Sequence, residues 1–315
     1  MRIAVTGGTG FVGRHLTHRL LREGHQVVVI SRHSGPDLNS QGGRLTFLSS
    51  DLSDAEALSR AFSGCEAVAH CAGINREIGS QSYQRVHIEG TRNVVDAARK
   101  AKVGKITLMS FLRARPGCGS AYHESKWAAE EMVRNSGLDY TVLKSGMVYG
   151  LGDHMLDHLS HSFFTLPVLA TVGFKQKKIR PLAIEDLLDV LYAALCDGRL
   201  AHSTVAVVGA EELYLSDAAR RVAKVLGKQI LVFPAPVWFH YLLARLFEWT
   251  MKVPLVARAQ VRILAEGVVE AAPLCAALPP DLLPSRRYTS DQIMKGLPGP
   301  GPFRLRDLRC CADGG

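Results

Sequence analysis

The 315-residue sequence predicts an α/β fold, a doubly wound parallel sheet followed by a smaller C-terminal lobe. Three observations predict it. Short apolar runs alternate with amphipathic stretches through the first half, the pattern of strands joined by crossover helices. The first run, Ile3 to Val5, passes at once into a glycine-rich turn, Thr6-Gly7-Gly8-Thr9-Gly10-Phe11-Val12-Gly13, that opens an amphipathic segment. Beyond about residue 150 the alternation loosens, which marks the change of lobe.

Taken in order, strands are expected at 2–5, 26–30, 44–48, 66–70, 105–110 and 140–144, with a later one at 203–208. Helices are expected near 11–23, 54–62, 82–101 and 120–136. Gly24 follows the first helix where a chain reversing in the left-handed region favours glycine. Asp51, Ser53 and Asp54 precede the second helix as candidates to accept its first N–H groups. After a His-rich stretch (His154, His158, His161), a helix at 184–197 is expected to return to the first lobe. This gives a nucleotide-binding domain over 1–150 with 179–210 returning to it, a substrate lobe from 151–178 and 211–296, and a flexible tail over 297–315.

The glycine turn is the main pointer to function. Gly7 suits a tight turn off the strand, Gly10 lets backbone approach a pyrophosphate, and Gly13 lets the helix pack on the sheet. The helix N-terminus then offers N–H groups and a positive dipole end to phosphates. Following a strand and preceding a helix, the triplet predicts dinucleotide binding. In sites that prefer NAD, a carboxylate at the end of the second strand accepts from the ribose. Here that strand ends in Ser31-Arg32-His33. A guanidinium cannot accept from a hydroxyl but pairs bidentately with a 2′-phosphate, so NADP(H) is expected, with NAD(H) as the alternative.

Composition narrows the rest. The chain is 47% hydrophobic and 21% charged, with no apolar run long enough to span a bilayer. The first strand lies at the very start, so no cleaved leader is expected. Seven cysteines without a Cys-x-x-Cys spacing, the adjacent Cys310 and Cys311 included, suggest a reducing compartment. A cytoplasmic location, or one peripheral on the inner face of a membrane, follows. The net charge of +9 is spread along the chain with no basic patch interleaved with aromatics, so nucleic acid is not an expected partner. Lys175, Lys177, Lys178 and Arg180 form the densest cluster, fit either for a solvated loop or for an anion. The three histidines have only Asp153 and Asp157 nearby and no His-Glu-x-x-His pattern, so no metal is expected. The segment 236–251 reads as a helix with Trp238, Leu242, Leu246 and Trp249 at helical spacing. Packing against the substrate lobe is the first expectation; a ligand roof or a membrane-facing helix are the alternatives.

Tyr122 and Lys126 lie four residues apart on a predicted helix and share one face. A lysine ammonium there could lower the neighbouring phenol and bind a nicotinamide ribose, while the phenol exchanges a proton with a substrate.

With these motifs in view, residues 1 to about 210 resemble the short-chain dehydrogenase/reductase superfamily in its extended form. Besides the glycine turn and Tyr122-x-x-x-Lys126, the resemblance rests on Asp51-Leu52 after the third strand and Cys71-Ala72-Gly73 after the fourth. It extends to Val86-His87-Ile88-Glu89-Gly90-Thr91, to Leu143-Lys144-Ser145-Gly146-Met147-Val148-Tyr149-Gly150 and to Arg180-Pro181-Leu182-Ala183-Ile184-Glu185-Asp186. It implies that Asp51 and Leu52 contact adenine, that Cys71, Ala72 and Gly73 line the cofactor, and that Tyr122 is the acid/base. Lys126 would orient the ribose and Ser110 would either steady the substrate oxygen or satisfy local backbone. His87 stands where the family has asparagine, and Lys144-Ser145 where it has Arg-Pro. These departures and the aromatic C-terminal helix resemble the atypical branch that includes the accessory subunit of respiratory complex I and its bacterial relatives. The resemblance implies an oxidoreductase or epimerase/dehydratase relative acting on a carbonyl or secondary alcohol of a small molecule, and the apolar C-terminal helix favours a hydrophobic one, such as a quinone precursor, over a nucleotide sugar. Its alternative is a nucleotide-bound structural or assembly factor, touching a membrane or respiratory complex through 236–251.

Overall fold

The computed structural model describes residues 1–33, 42–251, 256–273, 275–299 and 301–303. Two compact units compose it.

The first unit comprises Met1–Ser145, Ile184–Val207 and Glu270–Leu283. Its strands are β1 (Arg2–Thr6), β2 (Gln26–Ser31), β3 (Leu45–Ser49), β4 (Ala67–His70), β5 (Lys105–Phe111) and β6 (Asp139–Ser145). The strand Ser203–Val207 completes a seven-stranded sheet, in the order Ser203–Val207, β6, β5, β4, β1, β2, β3. All neighbours are parallel. β2 is apolar and buried over Val27, Val28, Val29 and Ile30, and β5 is buried along its whole length, as strands covered on both faces must be. Helices α1 (Phe11–Arg22), α2 (Ala55–Phe62), α3 (Gly90–Lys100) and α4 (Ala121–Arg134) make the crossovers, with Ile184–Leu195 as a further helix. Leu58, Phe62, Val94, Ile106 and Val133 form the core beneath α2, α3 and α4. The fold class is therefore the one the sequence predicts.

Local chemistry sets the helix ends. Asp54 caps α2 by accepting the Ala57 N–H at 2.8 Å. Ser120 accepts from His123 N–H at the start of α4. The helix expected at 82–101 begins differently: Gln84–Glu89 is a π-helix, and the α-helix starts only at Gly90.

Strand order reverses at β1, whose neighbours are β2 on one side and β4 on the other. The carboxyl ends of β1 and β4 there leave a crevice, the place where open α/β sheets bind ligands. Residues 270–283, expected in the second lobe, return to the first unit instead. The cause is backbone pairing: Ala272 N–H donates to Leu112 C=O at 3.2 Å, and Ala276 bridges Val205 in parallel.

The second unit comprises Gly146–Ala183, Val208–Val269 and Pro284–Gly315. Its core holds Tyr149, Phe163, Val222 and Tyr288. The strand Val168–Val172 pairs in parallel with Leu231–Ala235, and the helix Val237–Thr250 follows. That helix packs through Ala244 on Val172 and Val261. The expectation that Trp238, Leu242, Leu246 and Trp249 pack against the lobe is not met; all four are exposed. The inward side is taken by Ala244 and by His240, whose ring nitrogens lie 3.2 Å from the Pro236 and Ala170 carbonyls. Residues 304–315, with Cys310 and Cys311, lie outside the described residues. No helix among the described residues is long and apolar enough to cross a membrane.

Candidate functional site

The glycine turn sits in the crevice between β1 and β4. Gly7 has φ +67°, and a Cβ there would lie 2.7 Å from the Ala72 Cα. A Cβ on Gly13 would collide with the Gly7 carbonyl oxygen. The two glycines thus let β1, α1 and the turn after β4 close on one another, and no side chain fits at either. The first turn of α1 holds no acidic residue, so its N–H groups and dipole face an anion without competition.

A groove opens over this turn, lined among others by Gly7, Thr9, Gly10, Arg32, Asp51 and Gly73. Thr9 and Ser31 hydroxyls meet at 2.5 Å and tie the turn to the end of β2. Arg32 follows, exposed at the groove. Asp51 is held on both oxygens: Ser53 donates N–H (2.7 Å) and hydroxyl to Oδ1, and Arg85 Nη2 donates to Oδ2 at 3.3 Å. The Ser53 hydroxyl above all, with Arg85 and Arg32, holds this carboxyl below the usual range. Leu52 fixes α3: its carbonyl accepts from Asn93 Nδ2 at 2.7 Å, and its side chain fills the space a Cβ on Gly90 would need. The donor set and the bare turn fit a dinucleotide.

Below the groove runs a buried polar layer. His70, at the end of β4, has Nδ1 2.7 Å from Thr6 Oγ1 and Nε2 3.0 Å from Thr91 Oγ1. Burial pushes its pKa down to about 3, so it stays neutral and knits β1, β4 and α3. Next to it, burial pushes the Cys71 thiol up to about 12, against the nearby Lys126 charge. His87 Nε2 accepts the Ile74 N–H at 3.1 Å, so the neutral ring carries its proton on Nδ1 and donates to Ser125 Oγ at 2.9 Å. Ser125 in turn donates to the Tyr122 carbonyl at 3.0 Å. Burial pushes His87 down to about 2, with Lys126 adding to the effect. In the place of the family's asparagine, this histidine clamps the turn after β4 to α4.

Tyr122 and Lys126 do share a face of α4. Lys126 Nζ donates to the Met109 carbonyl at 3.3 Å, and a Cβ on Gly73 would lie 2.9 Å from it. Glycine at 73 therefore leaves the ammonium room at the groove. Burial lowers Lys126 to about 8, while Glu130 and Cys71 pull it up. Tyr122 sits among Tyr83, His87, Phe111 and His123, at ring-centre distances of 5.7, 5.9, 5.4 and 5.7 Å. The expectation that Lys126 lowers the phenol is not met. Burial in this aromatic box, with Tyr83 beside it, raises the Tyr122 pKa above its ordinary value.

Ser110 also has a different role from the one the family implies. Its hydroxyl donates to Glu130 Oε1 at 2.5 Å, inside the protein. Glu130 Oε2 accepts from Arg134 at 3.2 Å and from Lys144 at 3.4 Å. Lys144 Nζ also donates to the carbonyls of Ala114 (2.7 Å) and Ala272 (3.4 Å), and both cations lie over the Trp127 ring. Burial pushes Glu130 up and Lys144 down, and each opposite charge pulls the other back. Ser110, opposite Lys144 in the β5–β6 register, is drawn into this network and has no proton left for a substrate carbonyl. Nothing local in the sequence marks Glu130 as its partner.

The remaining candidates are separate from this site. Among the described residues no three His, Cys, Asp or Glu side chains are grouped to hold a metal. Lys178 pairs with Glu212 at 2.7 Å and Arg180 donates to the Gly209 carbonyl at 2.9 Å, whereas Lys175 and Lys177 are exposed.

Residues 7–152 match the NAD(P)H-binding family. Uncharacterized proteins of Mycobacterium tuberculosis and Mycobacterium bovis are 32% identical over 237 residues, 75% of this chain but 24% of theirs. The chain thus spans about a quarter of the length of these relatives. NADH dehydrogenase (ubiquinone) 1 alpha subcomplex subunit 9 of Mus musculus mitochondria is 25% identical, over 79% of this chain and 69% of that protein. The ceramide reductase of Caulobacter vibrioides is 30% identical, over 61% of this chain and 60% of that enzyme. The fold is shared with UDP-glucuronic acid 4-epimerase from Bacillus cereus, solved with NAD: TM-score 0.69, 19% identity, 94% of this chain and 97% of that chain. Over residues 7–152 the chain is thus similar to NAD(P)H-binding proteins, and it shares the fold of the Bacillus cereus epimerase.

Proposed function

We propose that the chain is an NADP(H)-dependent reductase of the short-chain dehydrogenase/reductase type, acting on a carbonyl of a hydrophobic substrate. The observation that carries the reading is the pair on α4, with Lys126 at the groove beside Gly73 and Tyr122 one turn earlier in an aromatic box. The nucleotide, when bound, supplies the hydride. Lys126 holds the ribose, and Tyr122 gives its proton to the substrate oxygen. The buried phenol is protonated at neutral pH, the form that donates to a carbonyl oxygen. Phe111, Tyr83 and the Tyr122 ring offer apolar surface, which suits a quinone or lipid-like carbonyl better than a sugar. The Caulobacter relative, a ceramide reductase by name, agrees with a lipid-like substrate. Epimerase or dehydratase chemistry would draw on the same pair.

The preference for NADP(H) rests on Arg32, at the groove where a carboxylate would select NAD. Arg32→Asp is expected to shift the ratio of NADPH to NADH affinity by roughly ten- to a hundredfold, the worth of one charge-assisted phosphate contact. Fluorescence titration of both nucleotides checks it; an unchanged ratio defeats the assignment.

Lys126 gives a pH signature. Its lowered pKa means that the ammonium loses its charge as pH rises through about 8, and NADPH affinity falls with it. The nucleotide-free protein behaves oppositely. Between about 8 and the ordinary lysine value the unfolded chain binds more protons, so folding stability contributed by this group rises across that window. Lys126→Met is expected to remove the fall in affinity. A wild-type affinity that stays level through pH 9 would contradict the role.

A second reading, a nucleotide-holding structural part, is favoured by the Ser110 hydroxyl being committed to Glu130. The mouse relative, a named subunit of NADH dehydrogenase, points the same way. The deciding experiment identifies the nucleotide bound to purified protein and follows its redox state with a panel of quinones and carbonyl compounds. Oxidation of NADPH by wild type but not by Tyr122→Phe supports the reductase. NADPH held unreacted through the panel supports the structural reading.

A further inference from the structure

We infer that the helix Val237–Thr250 is a docking element that lies flat on an anionic bilayer surface. The helix is inverted relative to an ordinary surface helix. Its inward side carries His240 and Ala244, while Trp238, Leu242, Leu246 and Trp249 face solvent. At 100° per residue these four and Arg245 fall within one third of the circumference. Trp238 is 64% and Trp249 75% exposed, so neither is a partly covered core residue. They stand at the two ends of the stripe, about 16 Å apart along the axis, with leucines between them. Indole rings favour the bilayer interface, and leucines favour the acyl boundary beneath it.

The patch continues onto the neighbouring loop. Gly173 N–H donates to the Ala235 carbonyl at 2.8 Å, and Gly173 lies beside Val237. Phe174, 73% exposed, and the exposed Lys175 and Lys177 are thereby set at the start of the helix. Among the described residues Lys175, Lys177 and Arg245 have no ion-pair partner. The only carboxylate on the helix, Glu248, is bound by Arg258 at 2.9 Å. Among the described residues the unpaired charges beside the apolar stripe are thus of one sign.

That charge pattern selects the occupant. Protein interfaces deplete lysine and intersperse both signs. An anionic leaflet attracts basic residues flanking an amphipathic helix. A stripe of two Trp and two Leu, flanked among the described residues by the unpaired cations Lys175, Lys177 and Arg245, therefore fits phospholipid headgroups of negative charge.

The test uses the full chain with NADPH bound, in flotation with vesicles of phosphatidylcholine alone or mixed with phosphatidylglycerol. The protein is expected to float with the mixed vesicles, to release as salt is raised, and to show a blue shift of tryptophan emission. Trp238→Ser with Trp249→Ser is expected to lower partitioning by at least about tenfold, leaving NADPH affinity and thermal midpoint unchanged. Lys175→Glu with Lys177→Glu is expected to abolish the preference for the anionic vesicles while leaving the stripe intact. The inference is overturned if wild-type protein with normal NADPH affinity stays with neither vesicle. It is overturned equally if the tryptophan variant changes only the oligomeric state, which would assign the face to a second copy of the chain.

Discussion

Tyr122→Phe is expected to lower the rate of NADPH oxidation by substrate by about 10²–10⁴-fold while leaving nucleotide affinity unchanged. The phenol oxygen is the only atom removed. The ring stays among Tyr83, His87, Phe111 and His123, so the aromatic box keeps its shape. Position and packing of Lys126, which donates to the Met109 carbonyl, are untouched. A single-turnover measurement with bound NADPH separates chemistry from binding. A variant that oxidises NADPH as fast as wild type would place the proton donor elsewhere and remove Tyr122 from the proposed chemistry.

Glu130→Leu is expected to destabilise the protein by about 3–5 kcal/mol, the cost of leaving a buried charge without its partner. Lys144 is fully buried and has Glu130 as its carboxylate. Arg134 is less affected, because Glu131 also accepts from it, at 2.6 Å. Adding Lys144→Met to the same chain should recover part of the loss, since an apolar pair no longer holds an unpaired charge. Recovery stays incomplete because the Ala114 and Ala272 carbonyls then lose their donor. Denaturant unfolding of the single and double variants checks both steps; a loss below about 1 kcal/mol for Glu130→Leu would mean that water reaches the ammonium.

The fold and the nucleotide turn were legible because both are local. Strand–turn–helix order and the spacing of Gly7, Gly10 and Gly13 lie within one stretch of chain, and each expected strand of the sheet forms within a residue or two of its place. Tyr122 and Lys126 were legible for the same reason, through helical spacing. What was not legible is tertiary. Ser110 meets Glu130 only because β5 runs under α4, and the Tyr122 phenol is governed by rings of the Tyr83–His87 segment and of Phe111, distant in the chain, as well as by its neighbour His123. Periodicity revealed that one face of 236–251 is apolar but not whether the fold would cover it. The return of residues 270–283 left no signal, since backbone pairing of Ala272 and Ala276 asks for no special side chain.

That return bears on how the protein is made. The unit that holds the nucleotide groove is interrupted twice in the chain and is completed only by Glu270–Leu283. A ribosome that has released the first 210 residues has delivered every strand of the sheet, but not the Ala272 carbonyl beside Lys144 or the bridge to Val205. Domains ordinarily fold as units while synthesis proceeds from the N-terminus. Here the nascent sheet must wait, with its Ser203–Val207 edge uncovered, until most of the other unit has been translated.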